Sequence, residues 1–218
     1  GPMQAATIVA ATGPFQTPVI PPVVPDTAPV LQLHSNAYTR PAQLPEGGVL
    51  VVGAGSSGTQ IAEDLHAAGR SVTLSVGPHE RPPRRYRGRD FVWWLGVLGK
   101  WNADTPGPGT EHVTIAVSGA RGGRTVDFRR LAHDGIRLVG MTTGYADGCL
   151  SFAPDLARTI ARGDASLHAL LDEADAFVAH HGLDLPEDPQ ARATLPDPAC
   201  LTHPVQTLDL AREGIRTI

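Results

Sequence analysis

Cysteine is scarce here: the 218 residues hold two, Cys149 and Cys200. They form no C-x-x-C pair and no disulfide framework, so a reducing compartment, the cytoplasm, is the expected location. The nine histidines supply neither H-x-x-x-H nor H-E-x-x-H spacing, and no metal site is expected. No apolar run approaches the roughly 18 to 20 residues of a membrane span, and the start lacks the basic-then-apolar order of a signal peptide. A basic excess is missing too: the formal charge is -4 and the pI near 6.1, which argues against nucleic acid as a partner. With 41% hydrophobic residues, the chain is long enough for one substantial core, or one domain plus extensions.

Glycine, in contrast, is plentiful, with 24 residues, so a bare G-x-G-x-x-G carries weight only in context. In "VLVVGAGSSGTQIAEDLHAAG", residues 49 to 69, an apolar run of buried-strand type precedes the glycines. Ile61, Ala62, Leu65 and Ala68 then repeat at helical spacing, and "SVTLSV" follows as a second strand. Strand, glycine turn, helix and strand within about thirty residues make a parallel βαβ unit. Gly53 would permit the tight turn, Gly55 would let backbone approach a pyrophosphate, and Gly58 would let the helix pack on the strand. The helix N-terminus would offer free N–H groups, with Ser56 and Ser57 as added donors. The alternative is a glycine turn that merely permits close packing. The pattern is neither a Walker loop nor a nucleophile elbow.

A carboxylate about 20 residues beyond the first glycine would take the ribose 2′-hydroxyl of NAD. Leu74, Ser75 and Val76 stand there instead, and "HERPPRRYRGRD" follows. Guanidinium groups match a 2′-phosphate in charge and geometry, so NADP(H) is expected over NAD(H), with Ser75, Arg81, Arg84 and Arg85 as candidate contacts. The alternatives are a solvated basic loop or a nucleic-acid patch. In "DFVWWLG", residues 90 to 96, the paired tryptophans suit packing of that loop better than cofactor contact.

Elsewhere, "ATIVAAT" (6 to 12), "HVTIAV" (112 to 117) and "GIRLVG" (135 to 140) read as strands, with a short helix near "TVDFRRLAHD". The proline-rich stretch after Gly13 reads as an extended connector. Residues 155 to 182 read as an amphipathic helix or helix pair, with Gly163-Asp164 a candidate break. "TLDLAREGIRTI" reads as a short helix leading into a strand. The expected fold is α/β: a Rossmann-like three-layer dinucleotide-binding domain with a central, mostly parallel sheet.

Taken in order, "IVAATGPFQTPVIP", "LHSNAYTRP", "GGVLVVGAGSSGTQIAEDL", "VTLSVG" and "PRRYRGRD" resemble the NADPH-binding half of flavin-containing monooxygenases and related FAD-dependent oxidoreductases. The resemblance implies that NADPH gives hydride to an FAD held by two flanking segments. Gly1-Pro2 before Met3 reads as a tag scar, and the resemblance divides the rest into an N-terminal strand and proline-rich linker at 3–48, the NADPH domain at 49–188, and a linker with return strand at 189–218. The family pattern F-x-G-x-x-x-H-x-x-x-(Y/F) is matched by His34 and Tyr38 but not by Ala28 and Val30; the resemblance implies a linker or gating role for that pair, and a histidine bonding local backbone is the alternative. No glycine motif for FAD precedes the NADPH segment, so FAD is expected only from a longer parent or a partner, and the exposed face would favour a homodimer. A flavin-free relative recruited for non-redox catalysis such as cyclisation, or for small-ligand binding, is the competing reading. No catalytic residue is assigned.

Overall fold

The computed structural model describes residues 4–9, 17–102 and 114–218. β1 (Gly48–Val52) is apolar throughout, as befits a strand covered on both faces. It turns through Gly53–Gly55 into α1 (Ser56–Ala67), and β2 (Val72–Ser75) returns parallel to β1 with Val49 opposite Val72. A short hairpin follows, of β3 (Arg85–Tyr86) and β4 (Arg89–Asp90), then α2 (Phe91–Val97), capped by Asp90 through its bond from Val92 N–H. α3 (Phe128–His133) starts at Asp127, whose carboxylate accepts from the N–H groups of Arg129 and Arg130. It leads into β5 (Arg137–Val139), parallel to β2.

β6 (Thr142–Ala146) and β7 (Cys149–Phe152) form an antiparallel pair. α4 (Leu156–His181) then runs 26 residues to a left-handed Gly182. α5 (Ala199–Thr202), β8 (Thr207–Asp209) and β9 (Ile215–Thr217) complete the chain, β8 pairing with β7 and β9 running parallel to β1. The main sheet has the order β5-β2-β1-β9, and the second sheet β6-β7-β8. Helices pack on one face through Val49, Val51, Ala62, Leu65, Leu131 and Ile160; the second sheet packs on the other through Leu50, Val139, Leu150 and Leu208. This is the three-layer, Rossmann-like arrangement, with its parallel sheet at the centre.

Local expectations fare unevenly. Gly163 does not break α4, because the missing side chain lets His79 approach: a Cβ there would stand 2.4 Å from His79 Nε2. The helix expected before β9 is a turn, where Asp209 accepts from the N–H groups of Ala211 and Arg212, and Gly214 adopts φ 65°. Five residues between strands are too few for a helix. Residues 114–117 form isolated bridges, Ile115 to Glu80 and Val117 to Thr125, rather than a strand. Residues 6–9 form no strand, and the rest of that expected element lies outside the described residues. The linker is part of the fold: Leu31 bridges Thr217, and Leu33 N–H donates to Ile218 O at 2.9 Å. Residues 189–218 likewise supply strands to both sheets.

Candidate functional site

The glycine turn stands at the C-terminal end of β1, with β2 on one side and β9 on the other. The chain winds outward from β1 through β2 to β5 and only later returns to add β9 on the opposite edge. Open α/β sheets bind ligands outside the carboxyl ends of their strands at this kind of reversal. Gly53 has φ 102° and donates its N–H to Ser75 O at 3.0 Å, which fixes the turn against β2. Gly58 lies so close to the turn that a Cβ would meet Gly53 O at 1.9 Å, which places the first turn of α1 on the end of β1. α1 carries no acidic residue in that turn, and Gly55 stands at its N-cap. The N-terminus therefore presents unopposed positive partial charge to whatever enters.

A cleft of about 700 Å³ opens here, lined by Gly53, Gly55, Ser56, Ser57 and Gly58. Val49–Val52 of β1, with Thr217 of β9 opposite Val49, form its floor, and the linker, through Val19, Ile20, Val23, Val24 and Leu33–Ser35, forms a mostly apolar wall. Ser57 is exposed without a side-chain hydrogen bond among the described residues. Ser56 Oγ donates to Ile115 O at 2.8 Å, so the bridge segment after residue 113 is held beside the turn.

His34 and Tyr38 reach the same cleft. His34 Nδ1 lies 3.2 Å from Asn36 N and 3.0 Å from Asn36 Oδ1, and so caps the turn of Ser35–Ala37. Tyr38 donates its phenol proton to Asp64 Oδ2 on α1 at 2.6 Å. Burial and that neighbouring carboxylate push the phenol above its ordinary pKa, so it stays neutral and tethers the linker to α1.

Ser75 does not line the cleft. It is 2% exposed, donates to Gly140 O at 2.9 Å and accepts from Thr142, whose own hydroxyl does line the cleft. The three arginines also lie outside that lining. Arg81 is buried between Asp164 Oδ1 at 2.6 Å and Val126 O at 2.8 Å. Arg84 pairs with Asp90 at 3.0 Å. Arg85 is exposed without an ion pair among the described residues. Arg81 and Arg85 border a separate cavity of about 730 Å³, where they and Arg124 and Arg130 are balanced by Glu63, Asp127, Asp134 and Asp188, and no excess of positive charge results. Trp94 is 1% exposed and donates to Tyr86 O, a packing role, beside Trp93 in edge contact at 4.8 Å.

Two contributors had no signal in the sequence: the apolar linker wall and Thr217 of β9. Among the described residues no His, Cys, Asp and Glu group could hold a metal ion, and no helix is long and apolar enough to cross a membrane.

Residues 1–91 match the family model described as pyridine nucleotide-disulphide oxidoreductase. An uncharacterized oxidoreductase CzcO-like of Geobacillus kaustophilus is 48% identical over 101 residues, covering 45% of this chain and 28% of that protein. An uncharacterized oxidoreductase CzcO of Bacillus subtilis is 39% identical over 101 residues, with 46% and 29% covered. The flavin-containing monooxygenase iboF of Amanita muscaria is 40% identical over 97 residues, with 42% and 18% covered. The matched part spans less than a third of each relative's length. No solved structure matches significantly. The chain thus carries a Rossmann-like fold, matches the family model over residues 1–91, and is similar over less than half of its length to uncharacterized oxidoreductases and to a flavin-containing monooxygenase.

Proposed function

We propose that this chain binds NADP(H) at the glycine turn, as the pyridine-nucleotide unit of a flavin-dependent oxidoreductase of the monooxygenase kind. The observation that carries the reading is the position of Gly53–Gly58, at the end of β1 beside β9 and open to a cleft of about 700 Å³. The residues fit the group. The uncapped N–H groups of α1 would hold a pyrophosphate, Gly58 allows the helix its close seat, and Ser57 has a hydroxyl to give. NADPH, when bound, supplies hydride to a flavin; the chain's own residues bind and orient it, and the linker wall excludes water from one side.

Preference for NADP(H) draws on the absence of a carboxylate at the end of β2, where Ser75 and Val76 leave nothing to repel a 2′-phosphate. None of the candidate arginines lines the cleft, Arg85 being without an ion pair among the described residues but on the separate cavity, so the preference rests on the missing carboxylate. The flavin belongs to a further domain or a partner chain in this reading. Val19, Ile20, Val23 and Val52, which are exposed around the cleft, form the apolar rim that such a domain would cover. A second copy of the chain is the other cover for that rim, and size-exclusion chromatography separates the two.

Calorimetric titration with NADP+ and NAD+ in parallel tests the reading. Saturable binding of NADP+, weaker binding of NAD+ and no uptake of added FAD are the expected results. Equal affinity for both nucleotides would remove the 2′-phosphate argument. Absence of binding by either would favour the second reading, a flavin-free relative that binds a small apolar ligand, which the apolar linker wall of the cleft also suits.

A further inference from the structure

Residues 114–117 belong to neither sheet, yet they are held on two sides. Glu80 N–H donates to Thr114 O and Ala116 N–H donates to Glu80 O, both at 2.8 Å. From the first turn of α1, Ser56 Oγ donates to Ile115 O at 2.8 Å and accepts from Val117 N–H at 3.4 Å. The Thr114 methyl would stand 3.1 Å from a Cβ on Gly55, so the segment lies directly against the glycine turn. Ala116 is fully buried, whereas Ile115 is 36% exposed and lines the cleft. A serine hydroxyl has one proton to give, and Ser56 gives it to this segment.

The segment thus reaches from the N-terminus of α1 to Glu80, beyond the end of β2. No residue from Val72 to Arg81 lines the cleft, so Thr114 and Ile115 bound it on that side. Given the nucleotide reading above, on which this inference rests, a pyrophosphate on the glycine turn sends the adenosine half toward the end of β2. That half must cross the segment, and Ile115 is the apolar side chain it meets, one that loses contact with water when a flat purine lies on it. We propose that Ile115 forms the adenosine-side wall of the nucleotide site and that Ser56 is a positioning residue, its hydroxyl fixing that wall instead of bonding phosphate.

Ile115→Ala shortens a partly exposed side chain and leaves every backbone bond of the segment in place, so the fold should persist. Calorimetric titrations would compare it with the unmodified chain, using NADP+ and 2′,5′-ADP, which lacks the nicotinamide half. The expected result is that both ligands weaken by the same factor, about three- to ten-fold. Ser56→Ala should weaken both ligands likewise and, in the ligand-free chain, quicken amide hydrogen exchange at Val117; Ser56→Thr, which keeps the hydroxyl, should restore both readouts. If the unmodified chain binds NADP+ and Ile115→Ala weakens neither ligand, or NADP+ alone, the adenosine-side wall is overturned while the nucleotide reading stands. If Ser56→Ala weakens binding but leaves exchange at Val117 unchanged, the hydroxyl serves the phosphate and its positioning role is overturned. If the unmodified chain binds neither ligand, this inference and the nucleotide reading are both overturned.

Discussion

The sharpest mechanical prediction concerns Gly58→Ala. The added Cβ would stand 1.9 Å from Gly53 O and 2.9 Å from Gly53 C, both backbone atoms that no side-chain rotation can clear. The first distance is about 1.5 Å short of ordinary van der Waals contact at 3.4 Å, so α1 must lift from the end of β1. Overpacking of this kind costs about 1 to 3 kcal/mol. For a chain of this length that lowers the melting temperature by about 2 to 12 °C, measurable by circular dichroism. The lifted N-terminus also moves its N–H groups away from the phosphates, so NADP+ affinity should fall roughly tenfold or more. Gly55→Ala separates the two effects. Its Cβ meets the Thr114 methyl at 3.1 Å and Ile115 O at an ordinary 3.8 Å, so the fold should survive while the methyl stands where backbone and pyrophosphate approach. A Gly58→Ala chain that melted within about 1 °C of the unmodified protein and bound NADP+ equally well would refute the close helix–strand seat and the phosphate role drawn from it.

Asp164 neutralises both Arg81 and Arg129, each at 2.6 Å and each nearly buried. Asp164→Ala strands the Arg81 guanidinium, left with Val126 O alone, while Arg129 keeps Asp197 at 2.6 Å, and should cost about 3 to 5 kcal/mol in urea denaturation; a loss below about 1 kcal/mol would mean that Arg81 relaxes into solvent. His79 is buried against Phe128, with Arg81, Arg162 and Asp164 around it, and burial chiefly holds its pKa below the ordinary value of 6.5. The unfolded chain then binds a proton that the folded chain refuses, so the stability contributed above that value should decline as pH falls below it. Melting curves of Asn, Gln or Leu variants at position 79 should lose that part of the slope; an unchanged slope would assign it to other groups. Tyr38→Phe removes the tether to Asp64, so amide exchange in residues 34–40 should quicken while β1 and β2 stay protected; uniform protection would show that the tether is dispensable.

The parts legible in the sequence are those with a local cause. β1, the glycine turn, α1 and β2 follow one another within a single unit, and each is marked by its own residues: apolar run, glycines, helical spacing, apolar run. α4 is equally plain from its leucine spacing, except that Gly163 looks like a breaker until His79 is seen packed on it. What stays hidden depends on partners far along the chain. Arg81 reads as a free cation because Asp164 lies 83 residues away, yet the pair is buried and committed. Ser75 reads as a cofactor contact, but Gly140 and Thr142 claim its hydroxyl. Thr217 carries no motif at all, and its place in the cleft appears only once β9 is laid beside β1. The turn before β9 misleads for the opposite reason, since a helical pattern of apolar residues there is cut short by Gly214 and the bonds to Asp209.

The account's central claim is that the glycine turn of β1 and α1 is a working dinucleotide site. Titrating a uniformly 15N-labelled chain with NADP+ and following backbone amide shifts tests it most directly. The account predicts saturable changes concentrated at Gly53–Gly58, His34–Ser35 and Thr142. Shifts confined to Arg81–Arg89 and Arg124–Arg130, or none at all, would contradict it.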